Sequence, residues 1–302
     1  MLSLYALLLV AAAPEEAMIV ENSRLRAEQV RVQTGSYAKA GLPPNPDFGQ
    51  FARWRGPVCI SVRGIPDAAL ADRVKARIAA AAGDAALPAD KPGCKPNLTV
   101  AFTDDARRLV GMVKARKRSA LPPFEPRLFA ALDSATLPVR WWHVLGPAGS
   151  GGGSSAPDAG ALASATTNGV PLGNVLPAGP NAVGTNSFSA SLIDTNLSVW
   201  ARAGVAVVDV NLATGVSLDA LADYIALVMI APMRLPAGDP GVPSVLTLFQ
   251  PGSTVTGLTS WDRAFIKGLY RIQMNRSAQR QRQQLLSAMT RELVTGAPPE
   301  PR

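Results

Sequence analysis

Val58-Cys59-Ile60-Ser61-Val62-Arg63-Gly64 alternates apolar and polar side chains, with Val58, Ile60 and Val62 on one face and Cys59, Ser61 and Arg63 on the other. A two-residue period of this kind predicts a half-buried strand. Pro66 and Asp67 suit a helix start, and Leu70, Val74 and Ile78 recur at four-residue spacing until Gly83 ends the helix. A second strand comes next at Asn97-Leu98-Thr99-Val100-Ala101-Phe102. Asp104 and Asp105 then cap a helix with Leu109, Met112 and Val113 on one side. Val139-Arg140-Trp141-Trp142-His143-Val144-Leu145 is a third strand. Strands alternating with helices predict an α/β or α+β fold, a mixed β-sheet packed with helices.

Downstream, residues 146–190 are rich in Gly, Ser, Ala and Pro, and read as a long flexible surface insertion. They are not a domain linker, because the segment after them cannot form a core alone, so residues 51–272 make a single domain. Leu197–Trp200 and Gly204–Val210 supply one long strand or a hairpin. A helix over 217–230, with Leu218, Leu221, Ile225, Val228 and Met229 in a stripe about one face wide and its Leu221/Ile225/Val228 face expected on the sheet, stops before Pro232, and another runs from about Leu258 to Tyr270. Residues 273–302 form a basic amphipathic helix and a tail.

Upstream, residues 18–50 are polar and broken by Pro43, Pro44 and Pro46, which predicts an extended N-terminal arm. Residues 1–17 read as a signal peptide. The apolar run from Met1 is too short to span a bilayer, and small residues come after it at Ala11, Ala12 and Ala13. The expectation is a chain exported to the periplasm or the extracellular space, with no transmembrane span once mature. Two cysteines in such a chain, Cys59 and Cys94, predict one disulfide.

With 47% hydrophobic residues the chain has enough apolar material for one sizeable core. The net charge of +8 comes without any nucleic-acid motif, so no nucleic acid is expected as a partner. The cations Arg107, Arg108, Lys114, Arg116, Lys117 and Arg118 gather on one helix face. They are either a solvated face or a patch for an anionic partner, such as an anionic envelope component or another envelope protein. Arg271, Arg276, Arg280 and Arg282 extend the same idea.

The C-terminal half resembles the zincin metallopeptidases, which place an edge strand before an active-site helix, then a loop and a further helix. Val205-Ala206-Val207-Val208-Asp209-Val210 looks like the edge strand, and Leu218 to Met229 like the active-site helix. Pro243 to Phe249 resembles the segment below the metal. The closest match is Leu258-Thr259-Ser260-Trp261-Asp262 with Leu269-Tyr270. It is similar to the Leu-Thr-x-x-Asp…Leu-Tyr helix of zincins and of the related DUF2927 family of exported bacterial proteins. The resemblance implies a zincin-like scaffold, but the metal ligands are missing. A zincin needs His-Glu-x-x-His on one helix face, and here Asp223, Tyr224 and Leu227 occupy those places. The third-ligand place falls near Met233. The chain has a single His, so no metal site and no cofactor is expected. Tyr224 and Leu227 would then face a groove lined by carbon and one hydroxyl.

Three side chains remain as catalytic candidates: His143, and the pair Asp219 and Asp223 at i,i+4 on one helix face. His143 reads either as a satisfied core residue or as a base. No Gly-x-Ser-x-Gly elbow comes after a strand, and the Gly-rich run 149–153 lacks the Lys of a phosphate loop. Trp141 and Trp142 point to opposite faces of their strand, one into the core and the other to a partner or under a loop. The residues support two functional readings: a non-catalytic binding or assembly module on a zincin-like scaffold, or an active hydrolase with a site around His143 or Asp219/Asp223.

Overall fold

A computed structural model describes residues 15–41, 49–89, 91–117, 120–122, 125–149, 166–167, 170–171, 195 and 197–295. Most of the expected signal peptide, Arg118, nearly all of the 146–190 insertion and the tail after Thr295 lie outside the described residues.

Where an extended arm was expected, Glu15–Gly41 forms one helix, α1. The breakers Pro43, Pro44 and Pro46 all lie beyond its end, so they stop this helix rather than prevent it. The stretch before them contains no proline and many good helix formers. Its C-terminal end is built into the core, with Tyr37 and Ala38 buried. The Gly41 and Ala40 carbonyls accept from Arg234 N at 3.1 Å and Gly238 N at 2.9 Å.

β1 (Arg53–Trp54), β2 (Ile60–Arg63), α2 (Ala68–Asp84), β3 (Leu98–Thr103) and α3 (Ala106–Arg116) come next in order. Asp67 caps α2 by accepting from Ala69 N and Leu70 N, and Asp105 caps α3 by accepting from Arg108 N. α3 seats itself through Ala106 and Val110, four residues apart, with Leu109 and Val113 beside them. Met112, expected on that face, is exposed. The short helix α4 (Pro126–Leu132) leads to β4 (Val139–Gly149), and β5 (Thr166–Thr167) pairs with β6 (Val170–Pro171). β7 (Leu197–Asp209) is one long strand, not a hairpin.

The sheet is mixed. β2, β3 and β7 run parallel, with Ile60 opposite Leu98 and Leu98 opposite Gly204. β1 joins the same edge of β7 further toward its N-terminus, Arg53 opposite Trp200. β4 pairs antiparallel along the other edge of β7. The stretch Val205–Asp209, expected to be an edge strand, is therefore an inner one, hydrogen-bonded to β3 on one side and to β4 on the other. Its continuous apolar run suits that position, since a strand buried on both faces has no need to alternate.

Helices cover the sheet. Trp141 turns one way, its ring edge-on to Tyr224 and its Nε1 donating to Met233 O at 2.9 Å. Trp142 turns the other way and donates to Ala120 O at 2.8 Å. Both tryptophans are buried. α5 (Leu218–Ile230) lies on the Trp141 side against α2; a 3-10 turn (Val245–Thr247), α6 (Ser260–Arg271) and α7 (Ala278–Thr295) complete the order. α7 packs on α6 and α1. Cys59 and Cys94 are bonded, with Cα atoms 5.9 Å apart. No helix among the described residues is long and apolar enough to cross a membrane.

Candidate functional site

The expected zincin-like helix and the paired acids Asp219 and Asp223 both fall on α5. Every residue from Ala220 to Ile230 is buried. A helix apolar all round is a core helix rather than an amphipathic one, so the single stripe expected at Leu221, Ile225 and Val228 widens to the whole circumference. Tyr224 and Leu227, expected to face a groove, are instead packed. Tyr224 sits between the rings of Trp141 and Phe249, with centroids at 5.9 and 5.2 Å, and Leu227 is fully enclosed. Burial raises the Tyr224 phenol well above its ordinary range. Phe249 packs on Tyr224, and the 3-10 turn packs on the same helix.

The two carboxylates of α5 are both committed. Asp219 meets Arg73 at two points, each 2.7 Å. Asp223 meets Arg77 at 2.8 and 2.5 Å and also accepts from Leu258 N at 2.9 Å. The arginines are four residues apart on α2, as the aspartates are on α5. This register comes from topology: α2 leaves β2 and α5 leaves β7, and those strands are parallel, so the two helices also run side by side in one direction. Arg73 lowers the Asp219 carboxyl below its usual range. Gly257 permits the close approach, since a Cβ there would lie 2.6 Å from Asp223 Oδ2.

His143 is buried, and its Nε2 lies 3.2 Å from Met229 O. A carbonyl only accepts, so Nε2 carries the proton in this contact. Trp54 Nε1 donates to the same carbonyl at 2.7 Å, and Tyr270 Oη donates to Ile230 O at 2.7 Å. The last carbonyls of a helix have no partner within it, so these three side chains close the end of α5. Burial pushes the imidazole down to about 4, which keeps it neutral near pH 7. The Met229 carbonyl fixes its tautomer, and the Trp54 ring stands across it with centroids 6.4 Å apart; neither can serve as a nucleophile.

The Leu-Thr-x-x-Asp…Leu-Tyr pattern finds its roles in the same framework. Leu258 N donates to Asp223. Thr259 caps α6 in a reciprocal box with Asp262. Asp262 is fully buried and gathers donors from four places: Tyr37 Oη on α1 at 2.5 Å, Ser244 Oγ at 2.5 Å, Val245 N at 2.9 Å and Thr259 N at 2.8 Å. Its charge and burial together push the Tyr37 phenol upward, burial foremost. Tyr37, Ser244, Arg73 and Arg77 were not among the residues expected to matter. The one available signal was the spacing of Arg73 and Arg77, which matches that of Asp219 and Asp223.

The donor set does not fit zinc. Asp223 is engaged by Arg77 and Leu258 N, Tyr224 offers one enclosed phenol, and Leu227 has no lone pair to give. Among the described residues no three His, Cys, Asp or Glu side chains converge as a metal site. On α3, Arg107, Arg108, Arg116 and Lys117 are exposed, whereas Lys114 pairs with Asp133 at 2.5 Å and lies over the Phe129 ring. Of the C-terminal arginines, Arg271 pairs with Glu292 and Arg282 donates to Gly35 O. The chain matches no known family model, no curated protein and no solved structure.

Proposed function

We propose that this chain is an exported, non-catalytic binding or assembly module, built on a scaffold of zinc-peptidase type that has given up its metal ligands. The observation that carries the reading is the fate of Asp223. The acid at the first ligand place is joined to Arg77 and to a backbone amide, so its charge serves packing of α5 on α2. The other catalytic candidates are similarly occupied: Asp219 by Arg73, His143 by the end of α5. The bonded cysteines support an oxidising compartment, the periplasm or the extracellular space. The exposed cations of α3 suit an anionic envelope component or an acidic face of another envelope protein.

The test is an assay of the purified full chain on mixed peptide and ester substrates, with and without added zinc and a chelator. The reading expects no turnover under any of these conditions. Chelator-sensitive peptide hydrolysis overturns it.

A further inference from the structure

The C-terminal half of α1 and the end of α7 pack together and leave a groove between them. Ala27 and Arg31, one turn apart on α1, face Ser287, Thr290, Arg291 and Val294 on α7 across a space of about 480 Å³, which falls in the size range of small-molecule sites. Among the described residues no carboxylate lines it. Arg31 has Glu28 only at 3.8 Å, with both side chains more than two-thirds exposed. Among the described residues the Arg291 guanidinium has no ion pair. The neighbouring acid, Glu292, is engaged by Lys267 at 2.5 Å and Arg271 at 3.1 Å.

We propose that this groove binds a small oxyanion carrying an apolar tail. The Arg291 guanidinium, without an ion pair among the described residues, and the exposed Arg31, held only by a solvent-screened contact to Glu28, attract a carboxylate or a phosphate and can grip it at two points. The Ser287 hydroxyl supplies a further donor. Ala27, Val294 and the Thr290 methyl line the rest with carbon, which a bare hydrophilic ion would leave unused. The site stands on the α1–α7 groove and is independent of the reading of α5.

Calorimetric titration of the full chain tests it, with octanoate, octyl phosphate, inorganic phosphate and octyltrimethylammonium as probes. Octanoate or octyl phosphate binds, and their ratio tells a carboxylate site from a phosphate site. Inorganic phosphate binds more weakly than octyl phosphate, and the cationic amphiphile does not bind. Arg31→Gln and Arg291→Gln each weaken the anionic amphiphile about tenfold or more, the loss of one charge-assisted contact. The proposal fails if neither anionic amphiphile binds, if the cation binds as well, if inorganic phosphate binds as tightly as octyl phosphate, or if folded Arg291→Gln binds like the parent.

Discussion

Arg77 on α2 and Asp223 on α5 are joined at two points, 2.8 and 2.5 Å, one helical turn beyond the same arrangement of Arg73 with Asp219. The inner pair differs from the outer in burial: the Asp223 side chain is 5% exposed against 28% for Asp219. The inner acid also holds the backbone at Leu258, where the loop turns into α6. A single carboxylate thus connects α2, α5 and α6.

Asp223→Asn should therefore lower unfolding stability by about 3 kcal/mol, because it leaves Arg77 without its charge partner in a partly buried place. Asp219→Asn should cost clearly less, since water screens the outer pair. Chemical denaturation of the two variants beside the parent checks the order; equal losses would contradict it.

His143 makes stability depend on pH. Its folded pKa of about 4 lies below its ordinary 6.5, so the unfolded chain takes up the proton first as pH falls. Stability from this group is complete above about pH 6.5 and declines until about pH 4. Between about pH 7 and 5 the loss amounts to about 2 kcal/mol. Thermal midpoints across that range should fall less steeply in His143→Gln than in the parent. An identical pH slope in both would show that the imidazole is not held neutral.

The bond between Cys59 and Cys94 joins residues 35 apart in the chain, from the start of β2 to the loop before β3. Constraining the unfolded chain over that length is worth about 3–4 kcal/mol. The Cys59→Ser, Cys94→Ser double variant should lose an amount of that order in denaturant unfolding. A loss below about 1 kcal/mol would contradict a bonded pair in the folded protein.

Asp262 is the other buried hub. Tyr37→Phe removes one donor to it and should cost about 1.5–3 kcal/mol, as hydrogen bonds to charged groups do. Asp262→Ala should cost more, because Tyr37, Ser244, Val245 N and Thr259 N lose their acceptor together. Denaturation of both variants checks the ranking. If Tyr37→Phe left stability unchanged, α1 would not be docked through this contact.

Much of this architecture was legible in the sequence. Period-two alternation located β2, and Asp67, Asp105 and Thr259 sit at helix starts where their side chains accept backbone amides. Local signals failed where the outcome depends on partners distant in the chain. The prolines after Gly41 looked like disruption of the whole N-terminal stretch, although they only terminate α1. Val205–Asp209 reads as a strand, but nothing in its residues says that β4 will pair with its far side. α5 was given one apolar face because a short helix usually has one; here α2, the sheet and the 3-10 turn enclose it. The candidate acids were visible as an i,i+4 pair, and their arginines lie 146 residues away.

α5 is a core helix whose Asp223 serves Arg77. Zinc content of the purified full chain, measured by elemental analysis after exposure to zinc and extensive washing, separates this role from that of a metal ligand. Far less than one zinc per chain is expected, with the same value in Asp223→Asn. One tightly held zinc per chain, lost in Asp223→Asn, would show instead that Asp223 holds a metal.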